Sequence, residues 1–205
     1  VLVKIGHSYQ QYPQKFYKFV PRSKTLEFRS INIEGPKIIE PKVFGDQRGY
    51  FFESYNQSDF KSAGLDLKFV QDNQSMSHRG VLRGLHFQKP PFAQGKLVRV
   101  IAGAVQDVIV DIRKNSPTYG HSFGIELNEE NNLMLWVPPG FAHGFCTLQD
   151  NTIFAYKCTK LYHPESEQGL MYNDPSLDIN WQLDDVQLSG KDLLFAPFKD
   201  FTSPF

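Results

Sequence analysis

The segment Gly80–Gln88, GVLRGLHFQ, sets Arg83 and His86 among Val81, Leu82, Leu85 and Phe87. A regular strand would point Arg83 and His86 to opposite faces. If both serve one site, Gly84 between them must mark a bulge or sharp bend, where glycine in a strand usually has meaning. Histidine titrates close to neutral pH and is a natural general base. A nearby carboxylate such as Asp174 would fix its tautomer and raise its basicity. Proton abstraction beside a ketone leaves an enolate, whose charge needs a preorganised cation. Lys96 is a candidate for that cation, and an inward Tyr156 is suited to donate a proton on the opposite face of the carbon.

Four further groups frame these residues: GDQRGYFFE (Gly45–Glu53), QGKLVRV (Gln94–Val100), VPPGFAHGF (Val137–Phe145) and NDPSLDINW (Asn173–Trp181). Taken singly, each has a structural explanation. Gly45, Gly49 and Gly140 suit turns, Pro138-Pro139 ends a strand, Arg48 and Glu53 suit a solvated surface, and His143 suits a satisfied core position. Together they place His86, His143, Lys96, Arg48, Arg83 and Asp174 in otherwise apolar surroundings, a pattern expected of a site for an anion joined to a ring. Pro138–His143 resembles the second sequence motif of cupins, β-barrels that often carry a metal on three histidines and a glutamate. Their first motif needs His-x-His, whereas this chain reads His86-Phe87-Gln88, so one ligand is missing and the expectation is no metal. Neither G-x-S-x-G nor G-x-x-x-x-G-K-[ST] occurs.

The elements that must hold these residues read as short strands. Segments rich in Val, Ile, Phe and Leu recur between Gly, Pro, Asn and Asp clusters. Strands are expected over Lys96–Ile101, Ala104–Ile112, Ser122–Leu127, Leu133–Val137 and Thr152–Thr159, the first two forming a hairpin about Ala102-Gly103. Short helices are expected at Gln57–Ala63, with Asn56 as N-cap and Gly64 as stop, and near Ser189–Leu194. The tight spacing favours a sandwich or small barrel over a parallel α/β sheet, whose crossovers need a dozen or more residues. In Thr152–Thr159 one face carries Thr152, Phe154, Tyr156 and Cys158 and the other Ile153, Ala155, Lys157 and Thr159. Neither face is purely polar, which suits a barrel wall around a ligand.

With 205 residues and 22 basic side chains against 22 acidic ones, the chain carries no formal net charge. One core is expected, large enough to bury roughly 70% of the extended-chain surface. Neutrality argues against nucleic acid and anionic membrane as partners, although a few cations can still hold a small anion. No apolar run approaches the roughly 18 residues of a membrane span. Two cysteines, Cys146 and Cys158, make no disulfide framework and point to a reducing, cytoplasmic setting. Residues 1–30 stand apart from the domain expected over 31–205. Their Tyr9, Tyr12, Phe16, Tyr17 and Phe19 precede any clear strand pattern, and no continuous apolar stretch or small-residue cleavage site marks a signal peptide. Two readings stay open for them: a native extension that packs on a partner, or residues arising from a start-site artefact.

From about Ile38 to Pro197 the chain resembles the dTDP-4-dehydrorhamnose 3,5-epimerase family. The resemblance rests on GDQRGYFFESYN (Gly45–Asn56), FVQDNQSMSHRGVLRGLHFQ (Phe69–Gln88), QGKLVRVIAGAVQDVIVDIRKNSPTYG (Gln94–Gly120), LWVPPGFAHGF (Leu135–Phe145), FAYKCTKLYHPESEQGL (Phe154–Leu170) and NDPSLDINW (Asn173–Trp181). It implies an all-β, cupin-type jelly-roll β-barrel with a few short helices, no cofactor, a homodimer, and a dTDP-4-keto-6-deoxyhexose substrate. It further implies His86 as base, Tyr156 as acid, and Asp174 as the carboxylate paired with the base. Lys96 and Arg83 match substrate-contacting cations, and His143 and Glu167 match further binding positions. Arg48, Glu53, Gln71, Asp72 and Asn73 match nucleotide-side contacts, and part of the site would come from the neighbouring subunit through the N-terminal region.

The chain departs from the family pattern at Phe87, where many members have Tyr, and in its first thirty or so residues, onto which no role carries over. The activity implied is epimerisation at C3 and C5 in dTDP-L-rhamnose biosynthesis. Epimerisation of a single carbon and ketoisomerisation on the same barrel are the alternatives.

Overall fold

The computed structural model describes residues 25–205 in full, together with the paired backbone strands β1 (Leu2–Ile5) and β2 (Ser8–Gln11). The aromatic run from Tyr12 to Phe19 lies outside the described residues. Beyond β1 and β2 the strands are β3 (Leu26–Ser30), β4 (Lys37–Pro41), β5 (Phe44–Asp46), β6 (Gly49–Phe51), β7 (Gln71–Ser77), β8 (Leu82–Gln88) and β9 (Lys96–Ala102). They continue with β10 (Ala104–Asp111), β11 (Ser122–Asn128), β12 (Met134–Val137), β13 (Phe141–Thr147), β14 (Thr152–Cys158) and β15 (Glu167–Gly169). A five-stranded sheet has the order β11-β10-β13-β8-β15 and a six-stranded sheet the order β3-β4-β12-β9-β14-β7, with antiparallel pairing throughout. This is the expected all-β, cupin-like sandwich. Leu26–Ser30, assigned from sequence to the N-terminal stretch, forms β3 at an edge of the larger sheet, where Leu26 is buried.

Three apolar clusters explain why β10 and β13 are buried along their whole lengths. Val98, Val100, Val105, Ile109, Phe145 and Phe154 meet between the sheets. Alternate residues of β10, Val108 and Val110, face outward with Leu85 and Phe87, where Ile179, Trp181, Phe198 and Phe201 of the C-terminal segment cover them. A strand covered on both faces reads as a nearly continuous apolar run, which AVQDVIVD does. On the far side of the six-stranded sheet, Leu97, Met134 and Trp136 are covered by Phe60 of the helix α1 (Gln57–Ser62). Asn56 caps α1, its side chain accepting from the N–H groups of Ser58 and Asp59. Gly64 takes a φ of +81° just past its end.

Two local expectations change. Lys96–Ala102 and Ala104–Asp111 are strands, but they do not form a hairpin: β9 pairs with β12 and β14, and β10 with β11 and β13. Gly103, at φ +79°, carries the chain from one sheet to the other. The Ala-Gly punctuation marks the reversal, while the choice of partner rests on which faces can be buried together. The segment near Ser189–Leu194 contributes only a 3₁₀ turn at Asp192–Leu194.

The bulge expected at Gly84 is present. His143 of β13 sits opposite His86 and Phe145 opposite Arg83, so three steps on β8 match two on β13. Gly84 has a φ of +133°, and a Cβ there would stand 2.5 Å from Gly144 Cα. The extra residue turns Arg83 to the same interior face as His86, and both line one cavity.

Candidate active site

The cavity, about 700 Å³, opens between the sheets and is lined by Arg83, His86, Lys96, His143, Tyr156 and Asp192 among others. A second lobe of about 310 Å³ shares Asn73, His86, Lys96 and Tyr156 and adds Gln71 and Glu167. His86 stands on the five-stranded sheet and Tyr156 on the six-stranded sheet, so the two project from opposite walls.

His86 Nε2 lies 2.7 Å from Oδ1 of Asp192, whose side chain is almost wholly buried. Oδ2 of Asp192 accepts from the Gly84 N–H at 3.4 Å, and its own N–H donates to Ser189 Oγ. Burial works to raise the Asp192 pKa, but the bond to His86, the imidazole's charge, and the Gly84 and Ser189 contacts together hold it below the usual carboxylate value. An ionised Asp192 orders the imidazole through Nε2, leaving Nδ1 as the nitrogen not committed to it.

Asp174, expected to be this carboxylate, is not. Its Oδ1 accepts from the N–H and Oγ of Ser176, and its Oδ2 accepts from the Phe198 N–H at 2.6 Å. It is the N-cap of the 3₁₀ turn Pro175–Leu177. Asp followed by Pro is a capping pattern, with the carboxylate taking orphan N–H groups and Pro needing none. Asp192, which sequence reasoning missed, stands 106 residues from His86 along the chain. Its only local signal is a charge in Ser189-Gly190-Lys191-Asp192 before an apolar stretch.

Lys96 begins β9 on the interior face, its Nζ 6.0 Å from the centre of the Tyr156 ring. Burial pushes its pKa down, against the opposing fields of Cys158, Glu167 and Asp107. Burial pushes Tyr156 up, aided by the field of Cys158 and opposed by Arg83, so the phenol keeps its proton. Arg83 directs Nε and Nη2 onto Ser77 Oγ at 3.4 and 3.2 Å. The stacked rings of Phe145 and Phe154, 4.1 Å between centroids, give the cavity an apolar wall.

His143 forms a second imidazole–carboxylate pair, Nε2 to Asp107 Oδ2 at 2.9 Å, with both side chains buried. Asp107 Oδ1 has no hydrogen-bond partner. Asp107 was also missed from sequence, although an acid on the interior-facing alternation of an apolar strand was a signal to read. Glu167 Oε2 accepts from Tyr162 Oη and Lys191 Nζ, each at 2.7 Å. Asn73 Oδ1 accepts from Gln71 Nε2 at 3.0 Å.

Three other sequence-selected residues stand away from the cavity within this chain. Asp72 alternates outward and pairs with Lys157 at 2.8 Å. Arg48 is at the exposed turn of the β5–β6 ribbon and holds Asp46. Glu53 accepts from Thr25 Oγ1 and Asn56 Nδ2. Among the described residues, no group of three or more His, Cys, Asp or Glu is arranged to hold a metal ion.

An imidazole backed by a carboxylate and a protonated phenol on the facing wall form an acid–base pair, and the Lys96 amine beside the phenol is placed to stabilise developing negative charge. The profile of the dTDP-4-dehydrorhamnose 3,5-epimerase family matches residues 30–200. The Methanothermobacter thermautotrophicus dTDP-4-dehydrorhamnose 3,5-epimerase is 52% identical over 179 residues, covering 85% of this chain and 96% of that protein. The crystal structure of the Elizabethkingia anophelis dTDP-4-dehydrorhamnose 3,5-epimerase superposes with a TM-score of 0.83 at 47% identity, covering 86% of this chain and 98% of that one. A Legionella pneumophila dTDP-6-deoxy-D-glucose-3,5-epimerase, in complex with dTDP-4-keto-L-rhamnose, matches with a TM-score of 0.83 at 49% identity over 86% of this chain and 95% of that one. By profile, sequence and fold, this chain belongs to the dTDP-4-dehydrorhamnose 3,5-epimerase family.

Proposed function

We propose that the protein is an isomerase that inverts C3 and C5 of dTDP-4-dehydro-6-deoxy-D-glucose, giving dTDP-4-dehydro-L-rhamnose for dTDP-L-rhamnose biosynthesis. The observation that carries this reading is the placement of His86, ordered by Asp192, and of protonated Tyr156 on opposite walls of one cavity. Both carbons flank the C4 ketone, which acidifies their protons. His86 takes the proton at Nδ1, and the C–H electron pair moves into the enolate, whose oxygen is stabilised by Lys96. Tyr156 gives its proton to the other face of the carbon, inverting it. Proton exchange with solvent resets His86 and Tyr156, and the second carbon follows by the same steps.

The substrate's negative charge is met by Arg83 and Lys96, with His143, Glu167, Gln71 and Asn73 lining the rest of the two lobes. A homodimer is supported by the β5–β6 ribbon, where Phe44, Tyr50 and Phe51 are 44%, 64% and 64% exposed. Aromatic rings standing free on a two-stranded arm suit a partner's surface. Arg48, Glu53 and Asp72 then serve the nucleotide end in the assembled dimer. A cytoplasmic setting is supported by two free, buried cysteines. No helix among the described residues is long and apolar enough to cross a membrane.

The test is proton NMR of dTDP-4-keto-6-deoxyglucose with the protein in deuterated water. Deuterium at both C3 and C5, with a ketoreductase converting the product to dTDP-rhamnose, is the expected result. Exchange at one carbon with the ketone kept at C4 would make it a single-site epimerase, loss of the C3 proton with the ketone moved to C3 a ketoisomerase, and exchange at neither would overturn the epimerase reading in favour of a binding protein.

A further inference from the structure

Gly169 of β15 pairs with His86 of β8. A Cβ at Gly169 would stand 2.5 Å from Leu85 O and 2.5 Å from Phe195 Cζ. The missing side chain thus makes the room that the Phe195 ring fills. That ring meets the imidazole of His86 edge to face, with centroids 5.5 Å apart and planes at 75°. Phe195 follows Asp192 by three residues, so a single stretch of chain touches the imidazole twice, once at Nε2 and once on the ring.

The stretch is fixed at both ends. Before it, Gln187 exchanges backbone hydrogen bonds with β8 and its approach, through Leu82 N–H to Gln187 O at 2.9 Å and Gln187 N–H to Gly80 O at 2.8 Å. After it, Ala196 O accepts from the Met171 N–H at 3.1 Å, beside the Leu170 N–H to Leu85 O bond at 3.0 Å. A hydrogen bond to one nitrogen still lets an imidazole tilt about that bond. A ring packed against it removes the freedom, and aromatic pairs of this geometry contribute beyond their buried area.

We propose that Phe195 is a positioning residue for His86. It holds the imidazole in the one orientation in which Nε2 faces Asp192 and Nδ1 remains for the substrate. Phe195 lines neither lobe of the cavity, so its effect passes through His86. The proposal rests on the reading of His86 as the base. Gly169 has a matching role, because only a residue without a side chain leaves Phe195 its place.

The test compares Phe195→Ala and Phe195→Leu in the full chain by steady-state kinetics and by ¹⁵N NMR of the histidine ring. Phe195→Ala is expected to lower kcat about tenfold with KM unchanged within about twofold, because transition-state geometry is lost and ground-state contacts are kept. Phe195→Leu, which keeps apolar bulk, is expected to lose about threefold. If the alanine variant does not fold, the leucine variant decides. In the wild type the His86 nitrogens should show a single tautomer with the proton on Nε2, and in the variants their shifts should move toward an average. A folded variant with wild-type kcat, or with lowered kcat and unmoved His86 shifts, would overturn the proposal. His86→Ala in parallel separates the two levels: near-normal turnover there removes His86 from the base role, whereas an inactive His86→Ala beside a normal Phe195→Ala sinks the positioning role alone.

Discussion

Two imidazole–carboxylate pairs face the same cavity and differ in how they are made. His143 and Asp107 come from neighbouring strands of one sheet, 36 residues apart, and both are sealed into the core. His86 takes its carboxylate from a turn 106 residues away, and its side chain stays 23% exposed toward the cavity. The pair at His143 is held by strand register, so it supplies a fixed polar wall among Phe145 and Phe154. The pair at His86 is held by a bulge, a C-terminal segment and a packed aromatic ring, so one nitrogen is fixed and the other left available. Residues that exchange protons with substrate need that partial freedom, and residues that define the wall do not.

The largest test of this contrast is His86→Ala, expected to lower kcat by about 10³-fold or more while substrate binding is largely kept, as measured by turnover and by calorimetric titration with a dTDP-sugar. His143→Ala should lose less turnover and more binding. Equal effects at the two histidines would erase the distinction. Tyr156→Phe removes the proton donor and keeps the ring, so turnover should fall about 10²-fold with binding little changed.

Asp192→Asn should lower kcat about 10²-fold by losing the charge that orders His86, whereas Asp174→Asn should leave kcat near normal and cost about 1 kcal/mol by losing an oxygen that accepts from the Phe198 N–H or the Ser176 pair, seen in thermal unfolding. Were Asp174→Asn the inactive variant, Asp192 would lose its role. Asp192 and Asp111 predict the pH dependence of stability. Asp111 is buried, which raises its pKa, but Arg113, Ser116 and Thr118 hold it down to about 2. A folded-state value below the unfolded one gives stability that is present above the unfolded carboxylate value of about 4 and lost as pH falls through the folded one. Unfolding by denaturant between about pH 4 and pH 2 should show a decline, to which Asp111 contributes on the order of 1–2 kcal/mol. Asp111→Asn should flatten that slope.

Much of the site is legible in the chain because its signals are local. Glycine between Arg83 and His86 demands a bulge if both are to face inward, and the alternation in Thr152–Cys158 places Tyr156 with Phe154 on the interior side. Asn56 before Gln57–Ser62 specifies its own cap within three residues. Asp174 shows the limit of such reading: an acid in a memorable motif, Asn-Asp-Pro, is bonded to the turn it starts and never reaches His86.

The core strands from Lys96 to Cys158, the Asn56 cap, the bulge at Gly84 and the interior face of Tyr156 follow from the sequence, since they depend on neighbours a few residues apart and on the two-residue period of a strand. The tertiary structure decides which strands pair, sending Lys96–Ala102 and Ala104–Asp111 to different sheets. It also decides which carboxylate meets which imidazole, pairing His86 with Asp192 and His143 with Asp107. Those choices join groups far apart along the chain, and only the shared burial of whole faces brings them within hydrogen-bonding distance.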